Sequence, residues 1–295
     1  MNEKISVVVC VYNRFEYVRN ILKSLIEQTA DIHEVIFADD GSKTDLQEAI
    51  KDLIPLCKFK VKIVWQEDIG FRLAKSRNNA VKFSEGDYII FMDQDIIFDK
   101  DFISKIIKHK KRGNVVYTKA LWTDSKQRDE IQKIFDIDYN YKRIYSIIES
   151  EQHIKALKSI KKARLYSLLY KFHLRKRGGK FAGLFISLYK DDLLKINGFD
   201  EKYIGFGYED DDLANRLFKS GINTIPVDFE FFPIHMAHPS SPSEAESPNE
   251  KYYRDRKKEI FKGDYRCKYG LDNPLGEDKP ILKLEYIGEK DEKKN

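Results

Sequence analysis

Two hydrophobic rhythms alternate from Ile5 to Asp95, and that alternation leaves few folds open to the chain. Residues Ile5 to Val11 (ISVVVCV) form an unbroken apolar run rich in β-branched side chains, as expected of a strand covered on both faces of a parallel sheet. A polar turn, Tyr12-Asn13-Arg14, follows, and then Tyr17, Val18, Ile21, Leu22, Leu25 and Ile26 recur at helical spacing. Glu34 to Ala38 reads as a second strand, Thr44 to Leu53 as a helix, Lys60 to Trp65 as a third strand, Ala74 to Phe83 as a helix, and Asp87 to Met92 as a fourth strand. Such alternation predicts βαβ units, and so an α/β fold with a mainly parallel central sheet flanked by helices. Ligands of such sheets bind outside the carboxyl ends of the strands, and Asn13, Asp40 and Asp95 all fall there.

The 295 residues suffice for one large α/β domain or two small ones. A formal net charge of +5 is mild. With neither zinc-finger spacing nor an aromatic-and-glycine RNA-binding run, it predicts no nucleic-acid partner. Cys10, Cys57 and Cys267 are far apart and odd in number, which argues against a disulfide framework or zinc site and fits a reducing, cytoplasmic setting. The start, Met1-Asn2-Glu3-Lys4, lacks the pattern of a secretory signal. No apolar run nears the roughly 20 residues needed to span a bilayer.

Between Lys155 and Lys180 the composition changes: Lys and Arg are abundant, and Asp and Glu are absent. Leu157, Ile160, Leu165, Leu168, Leu169 and Phe172 fit one broad helical face. A basic amphipathic helix of this kind lies on an anionic membrane surface, or packs on its own domain with a solvated basic back; the pattern serves both. Globular composition returns at Phe181, a polar loop (SSPSEAESPNE) follows Pro239, and residues 289–295 form a charged tail expected to fray.

Chemistry concentrates in a few segments. Asp93-Gln94-Asp95 ends the fourth strand with two carboxylates, which suits Mg²⁺ or Mn²⁺ held against a diphosphate and equally suits capping or loop solvation. Asp39-Asp40-Gly41-Ser42 is a tight turn whose carboxylate can accept a base N–H or a ribose hydroxyl, or simply close a strand-to-helix connection. Gly205-Phe206-Gly207-Tyr208-Glu209-Asp210-Asp211-Asp212 sets four consecutive carboxylates behind an aromatic, glycine-spaced lip. A helix start explains one or two of them. The rest resist burial unless a cation or a hydroxyl-bearing ligand faces them. His235 and His238, three apart in His-Met-Ala-His, can reach one metal or sit in a core. Arg14, Arg72, Lys75 and Arg77 are surface cations, one or two of which would neutralise a diphosphate.

Taken together, the segments ISVVVCVYNR, FADDGS and YIIFMDQD resemble the large inverting family of nucleotide-sugar glycosyltransferases that includes bacterial polysaccharide and lipooligosaccharide transferases. FAGLFISLYKDDLLKINGFDEKYIGFGYEDDDLANRL and the later HMAH resemble the acceptor half of β-1,4-galactosyltransferases and of the chondroitin-polymerase type. The resemblance runs from Ile5 to His238. It implies a GT-A fold with a basic helical insertion, about residues 140–180, that the animal galactosyltransferases lack. It divides the chain into a nucleotide-sugar-binding half (1–98), a connecting region (99–180), an acceptor-binding and catalytic-base half (181–262) and a tail (263–295). It implies that Cys10, Tyr12, Asn13, Arg14, Asp40, Arg72, Lys75, Asp93, Gln94 and Phe206 serve the nucleotide-sugar, with Tyr12 stacking on uracil, Asp40 recognising it and Phe206 closing over the donor. Asp95, His238 and His235 are the implied ligands of Mn²⁺ or Mg²⁺. Asp210 is the implied base, with Glu209 and Asp211 gripping hydroxyls. The expected donor is a UDP-sugar carrying Gal, GalNAc, Glc or GlcNAc, and the expected acceptor a glycan or glycolipid of the cell surface. The expected location is the cytoplasm, at the inner face of the membrane. A haloacid-dehalogenase-like phosphatase would also read YIIFMDQD as strand plus D-x-D, but wants that motif near its first strand. A catalytically silent sugar- or membrane-binding module would not need Asp93, Asp95, Asp210 and His238 intact.

Overall fold

The computed structural model describes residues 3–181, 184–239 and 247–288. Ala182 and Gly183 of the FAGLF motif, most of the polar loop after Pro239, and the charged tail lie outside the described residues. The first half runs β1 (Ile5–Val11), α1 (Phe15–Ile26), β2 (Glu34–Asp39), α2 (Leu46–Ile50), β3 (Lys60–Trp65), α3 (Leu73–Phe83) and β4 (Tyr88–Asp93). Then come β5 (Ile96–Ile97), α4 (Phe102–Ile107), β6 (Asn114–Tyr117), β7 (Leu121–Trp122), α5 (Ser125–Phe135), α6 (Tyr141–Tyr145) and α7 (Ser150–Lys171). The last part holds β8 (Phe185–Tyr189), α8 (Lys190–Lys195), α9 (Glu209–Lys219), β9 (Asn223–Pro226), β10 (Ile234–His235), α10 (Glu250–Lys262) and β11 (Ile281–Tyr286).

Among the described residues the main sheet has the order β11-β3-β2-β1-β4-β8-β6-β9. Strands β3, β2, β1 and β4 are mutually parallel, whereas β8 enters antiparallel between β4 and β6, and β11 closes the far edge antiparallel to β3. Every residue of β1 is buried. Val7 and Val9 enter one apolar layer and Val8 the other, so the unbroken run is explained by cover on both faces, each such side chain contributing ~1.5–3 kcal/mol. Helix α2 is shorter than the expected Thr44 to Leu53. The Asp45 side chain caps it by accepting from the Gln47 amide; residues 51–53 are a turn, and a short 3₁₀ turn, Ile54–Leu56, follows, where Pro55 lacks the N–H a continuing helix would need.

A second, three-stranded sheet has the order β5-β10-β7. It pairs His235 with Ile96 on one side and with Trp122 on the other, and this pairing carries the late histidines back to the end of β4. Helix α7 differs from expectation. It lies against β9 and β7 through Ala156, Ile160, Ala163 and Ser167, while Leu165, Leu168 and Phe172 are exposed. The small residues allow close approach to the sheet, and Ser167 Oγ lies 2.7 Å from Thr224 Oγ1; of the expected face, Ile160 is buried and Leu157 packs on the core, while Leu165, Leu168 and Phe172 are turned outward. No helix among the described residues is long and apolar enough to cross a membrane.

Candidate active site

The carboxyl ends of β1, β2 and β4 open into a cleft of about 490 Å³, lined among others by Cys10, Tyr12, Arg14, Asp40, Asp93, Gln94, Asp95, Phe206, Glu209, Asp210, His235 and His238. The end of β1 is shaped by Asn13 and Arg14, both in the left-handed region at φ 53° and 54°. Asn13 donates its amide to Ser42 Oγ and accepts from the Lys43 amide, so it stitches two loops together and does not line the cleft. Gln94 clamps the Tyr12 peptide from both sides, accepting from its N–H and donating to its carbonyl. The half-exposed Tyr12 ring is anchored by its hydroxyl, which donates to Asp68 Oδ2 at 3.1 Å. Asp40 accepts from Gln66 Nε2 and from the Arg72 amide. Burial pushes its carboxyl up to about 6.

Asp95, His235 and His238 each offer a ligand atom, all within 4.8 Å of one another. Asp95 Oδ1 is buried without a hydrogen-bond partner and lies 3.5 Å from His235 Nε2, and an orphaned carboxylate oxygen facing an imidazole nitrogen suits a divalent cation. Burial lowers His235 and so favours its neutral, ligating form. His238 Nε2 lies 2.9 Å from Asp95 Oδ2, a hydrogen bond that raises its pKa. Its Nδ1 contacts the Pro239 carbonyl at 2.9 Å, which fixes the ring. Trp122, absent from the sequence expectations, lies tilted against His235 with ring centroids 4.0 Å apart.

Across the cleft, α9 separates the four carboxylates, because successive helical residues point about 100° apart. Asp210 Oδ1 accepts from Arg77 Nη1 at 3.0 Å, and Glu209 Oε1 is 4.0 Å from the same nitrogen. Asp211 turns away to Arg177 and Lys180, at 3.3 and 3.0 Å, and is not part of the cleft lining. Asp212 is fully buried against Arg216. The aromatic lip is strapped down: Ser247 Oγ donates to the Phe206 carbonyl, and Asn249 Nδ2 donates to the Gly207 carbonyl at 3.1 Å. Gly205, Gly207 and Tyr208 all have positive φ, 83°, 97° and 74°, so the two glycines are what permit the turn.

The cation at the base of the cleft is Arg77, one of four cations noted in the sequence but left out of the nucleotide-sugar set that took in Arg14, Arg72 and Lys75. It is almost wholly buried, donates to Asp210, Asp93 and Cys10 Sγ, and lies over the Phe199 ring at 5.0 Å. Arg72 and Lys75 are not brought to the cleft. Both pair with Asp278, at 2.9 and 2.5 Å, tying α3 to the segment before β11. Lys75 and Arg77 lie about 200° apart around the helix, so only one of them can face the cleft. Burial, then the charges of Asp95 and Asp210, pushes Asp93 up to about 7 despite Arg77, and burial with the Asp210 charge pushes Glu209 up to about 8. Burial pushes the Cys10 thiol up to about 12. Ser76 Oγ, in the lining and without a hydrogen-bond partner, is a further polar group that the sequence did not single out.

This geometry has counterparts. The model of glycosyl transferase family 2 matches residues 6–178, and that of the N-terminal domain of galactosyltransferase matches residues 163–239. The uncharacterised glycosyltransferase YfnE of Bacillus subtilis is 26% identical over 280 residues, covering 81% of this chain and 66% of that protein. The chain spans about two thirds or less of the length of the curated relatives it matches. TarS of S. aureus, residues 1–349 in complex with UDP-GlcNAc, superposes with a TM-score of 0.58 at 14% identity, covering 91% of this chain and 68% of that one. The mannosyltransferase PcManGT of Pyrobaculum calidifontis, in complex with GDP-Man and Mn²⁺, gives a TM-score of 0.55 at 14% identity, covering 88% and 62%. These likenesses show the GT-A fold, and the family match covers more than half of the chain: this protein belongs to glycosyl transferase family 2.

Proposed function

We propose that the protein moves a hexose or N-acetylhexosamine from a UDP-sugar to a hydroxyl of a glycan or glycolipid, with inversion at the anomeric carbon. The observation that carries this reading is the occupancy of one cleft by two facing groups: Asp95, His235 and His238 on one side, Asp210 and Glu209 on the other. A mixed carboxylate–imidazole set favours Mn²⁺ over Mg²⁺, which prefers oxygen alone. A cation held there would neutralise charge on the departing diphosphate.

The chain's own residues do the rest. Tyr12 offers its ring to the uracil face. Asp40 keeps lone pairs for a base N–H, since its two oxygens accept only one bond each from the protein. Arg14, its guanidinium bonded to the Pro239 carbonyl next to His238, adds positive charge at the diphosphate end. Phe206 and Trp122 border the space left for sugar rings. Asp210, oriented by Arg77, takes the acceptor hydroxyl proton as that oxygen attacks. Glu209, protonated near neutral pH by its burial, donates a hydrogen bond to a sugar hydroxyl. With Asp210 acting as base, transfer is a single displacement, and an α-linked donor yields a β-glycoside.

The test is UDP release from UDP-Gal, UDP-GalNAc, UDP-Glc and UDP-GlcNAc, with Mn²⁺ or with chelator. Cation-dependent turnover of one of them is expected. Turnover of a different nucleotide's sugar, with none from UDP donors, overturns the donor assignment.

A further inference from the structure

Helix α7 is held by one face and carries an unpartnered one opposite. Ala156, Ile160, Ala163 and Ser167 pack inward. On the outward stripe Ile154, Leu165, Leu168 and Phe172 are 48%, 52%, 51% and 62% exposed, and Lys158 and Lys161 complete the stripe at helical spacing. The helix then ends in a reversal. His173 takes φ 59°, its amide bonds to the Tyr170 carbonyl, and the Leu174 amide bonds back to the Leu169 carbonyl at 2.8 Å, a Schellman-type stop. The reversal adds Leu174, 71% exposed, to the apolar tip. Single exposed leucines are ordinary; a cluster on one helix end is not.

The rim has one sign of charge. Residues 155–180 hold ten Lys and Arg and no Asp or Glu. Lys155, Arg164, Arg177 and Lys180 find acidic partners elsewhere. Lys158, Lys161, Lys162, Lys171, Arg175 and Lys176 have no ion pair among the described residues.

We propose that this tip docks the protein on an anionic lipid surface, with Leu165, Leu168, Phe172 and Leu174 entering the headgroup boundary and the surrounding lysines meeting lipid phosphates. A polyanion such as nucleic acid would satisfy the charges and leave the leucines wet, whereas a lipid surface satisfies both. The docking does not depend on the chemistry of the cleft, but the two are joined: Arg177 and Lys180, just beyond the tip, bind Asp211 next to the catalytic turn. If the transfer reading holds, the surface lies on the side from which a lipid-borne acceptor would arrive.

The test is co-sedimentation of the full chain with vesicles of phosphatidylcholine alone or mixed with phosphatidylglycerol. The protein is expected to bind only the mixed vesicles, more weakly as salt rises. Both L165S/L168S/F172S and K158E/K161E/K162E are expected to bind at least ~10-fold more weakly, with unchanged circular dichroism and unchanged UDP-sugar hydrolysis. Equal binding by wild type and both variants, or no wild-type binding to mixed vesicles, overturns the proposal. So does a concentration-dependent dimer that the apolar variant abolishes, since a second copy would then cover the face. Vesicle binding that persists while hydrolysis fails would count against the cleft chemistry alone.

Discussion

The two ends of the central sheet bury charge in opposite ways. At the amino end, Lys62 Nζ lies 2.8 Å from both Glu34 and Glu85. The Ser6 hydroxyl and the Glu85 amide donate to Glu34, and Lys60 and His33 reach Glu85. Each carboxylate there has a cation. At the carboxyl end, Asp93, Glu209 and Asp210 all approach the guanidinium of Arg77, while Asp95 faces two histidines. Both sets are largely shielded from water, so the difference lies in charge balance. The amino end is complete in itself and serves stability. Among the described residues the carboxyl end crowds several carboxylates around one arginine, an arrangement that a cation and hydroxyl-bearing ligands would relieve, at the side of the sheet where the cleft opens.

The largest expected effect tests the amino end. Lys62→Met strands the fully buried Glu34 and should cost ~3–5 kcal/mol of unfolding free energy in denaturant titration, with UDP affinity of the folded fraction unchanged. A loss of activity larger than the loss of folded protein would show that the two ends are not independent. Next, Asp210→Asn should cut transfer at least ~100-fold, about 2.7 kcal/mol in activation free energy, while keeping UDP binding and melting temperature; a near-normal rate would remove Asp210 from the role of base. Asp95→Ala should lower Mn²⁺ affinity, read by calorimetry, at least ~10-fold, and equal affinity would relocate the cation.

The smallest effect is in pH dependence, and its sign differs between the ends. Asp93 and Glu209 are raised from 3.8 and 4.5 to about 7 and about 8. Their folded forms hold protons more tightly than the unfolded chain, so their contribution is full below pH 4 and is lost as pH rises toward 8. Burial alone would raise Glu85 as well, but hydrogen bonds from Lys62, His33 and Lys60 outweigh it and hold Glu85 well below the usual range. Its contribution is present above about pH 4.5 and is lost as pH falls. Metal-free protein should therefore lose melting temperature on both the acid and the neutral side. Glu209→Gln should flatten the neutral side only, and an unchanged neutral limb would mean that the crowded charge is not where the comparison puts it.

Much of this was legible in residue order. The alternating runs gave β1 to β4 with boundaries within a residue or two, because a doubly covered strand and an amphipathic helix leave different periods. Helices α2 and α7 were read less well. A capping aspartate and a proline cut the first short, and small residues turned the second by about a third of a revolution from the face its leucines suggested. Asp95, His235, His238, Asp210 and Glu209 were all named from their segments and do meet in one cleft. Arg72 and Lys75 were assigned to the site in place of Arg77, since all three are cations near one helix start and only packing shows which way each points.

Local pattern fixed what depends on neighbours in the chain: strand, helix, the glycine-permitted lip and the acidic start of α9. The rest was decided by contacts between residues far apart in sequence. The register of β10 between β5 and β7 sets His235 beside Ile96 and Trp122. Burial of Arg77 beneath α9 assigns it Asp93 and Asp210. The inward face of α7 was chosen by the sheet it lies on. Charge and burial are properties of a three-dimensional neighbourhood, so the balance at the two ends of the sheet exists only once the chain has folded.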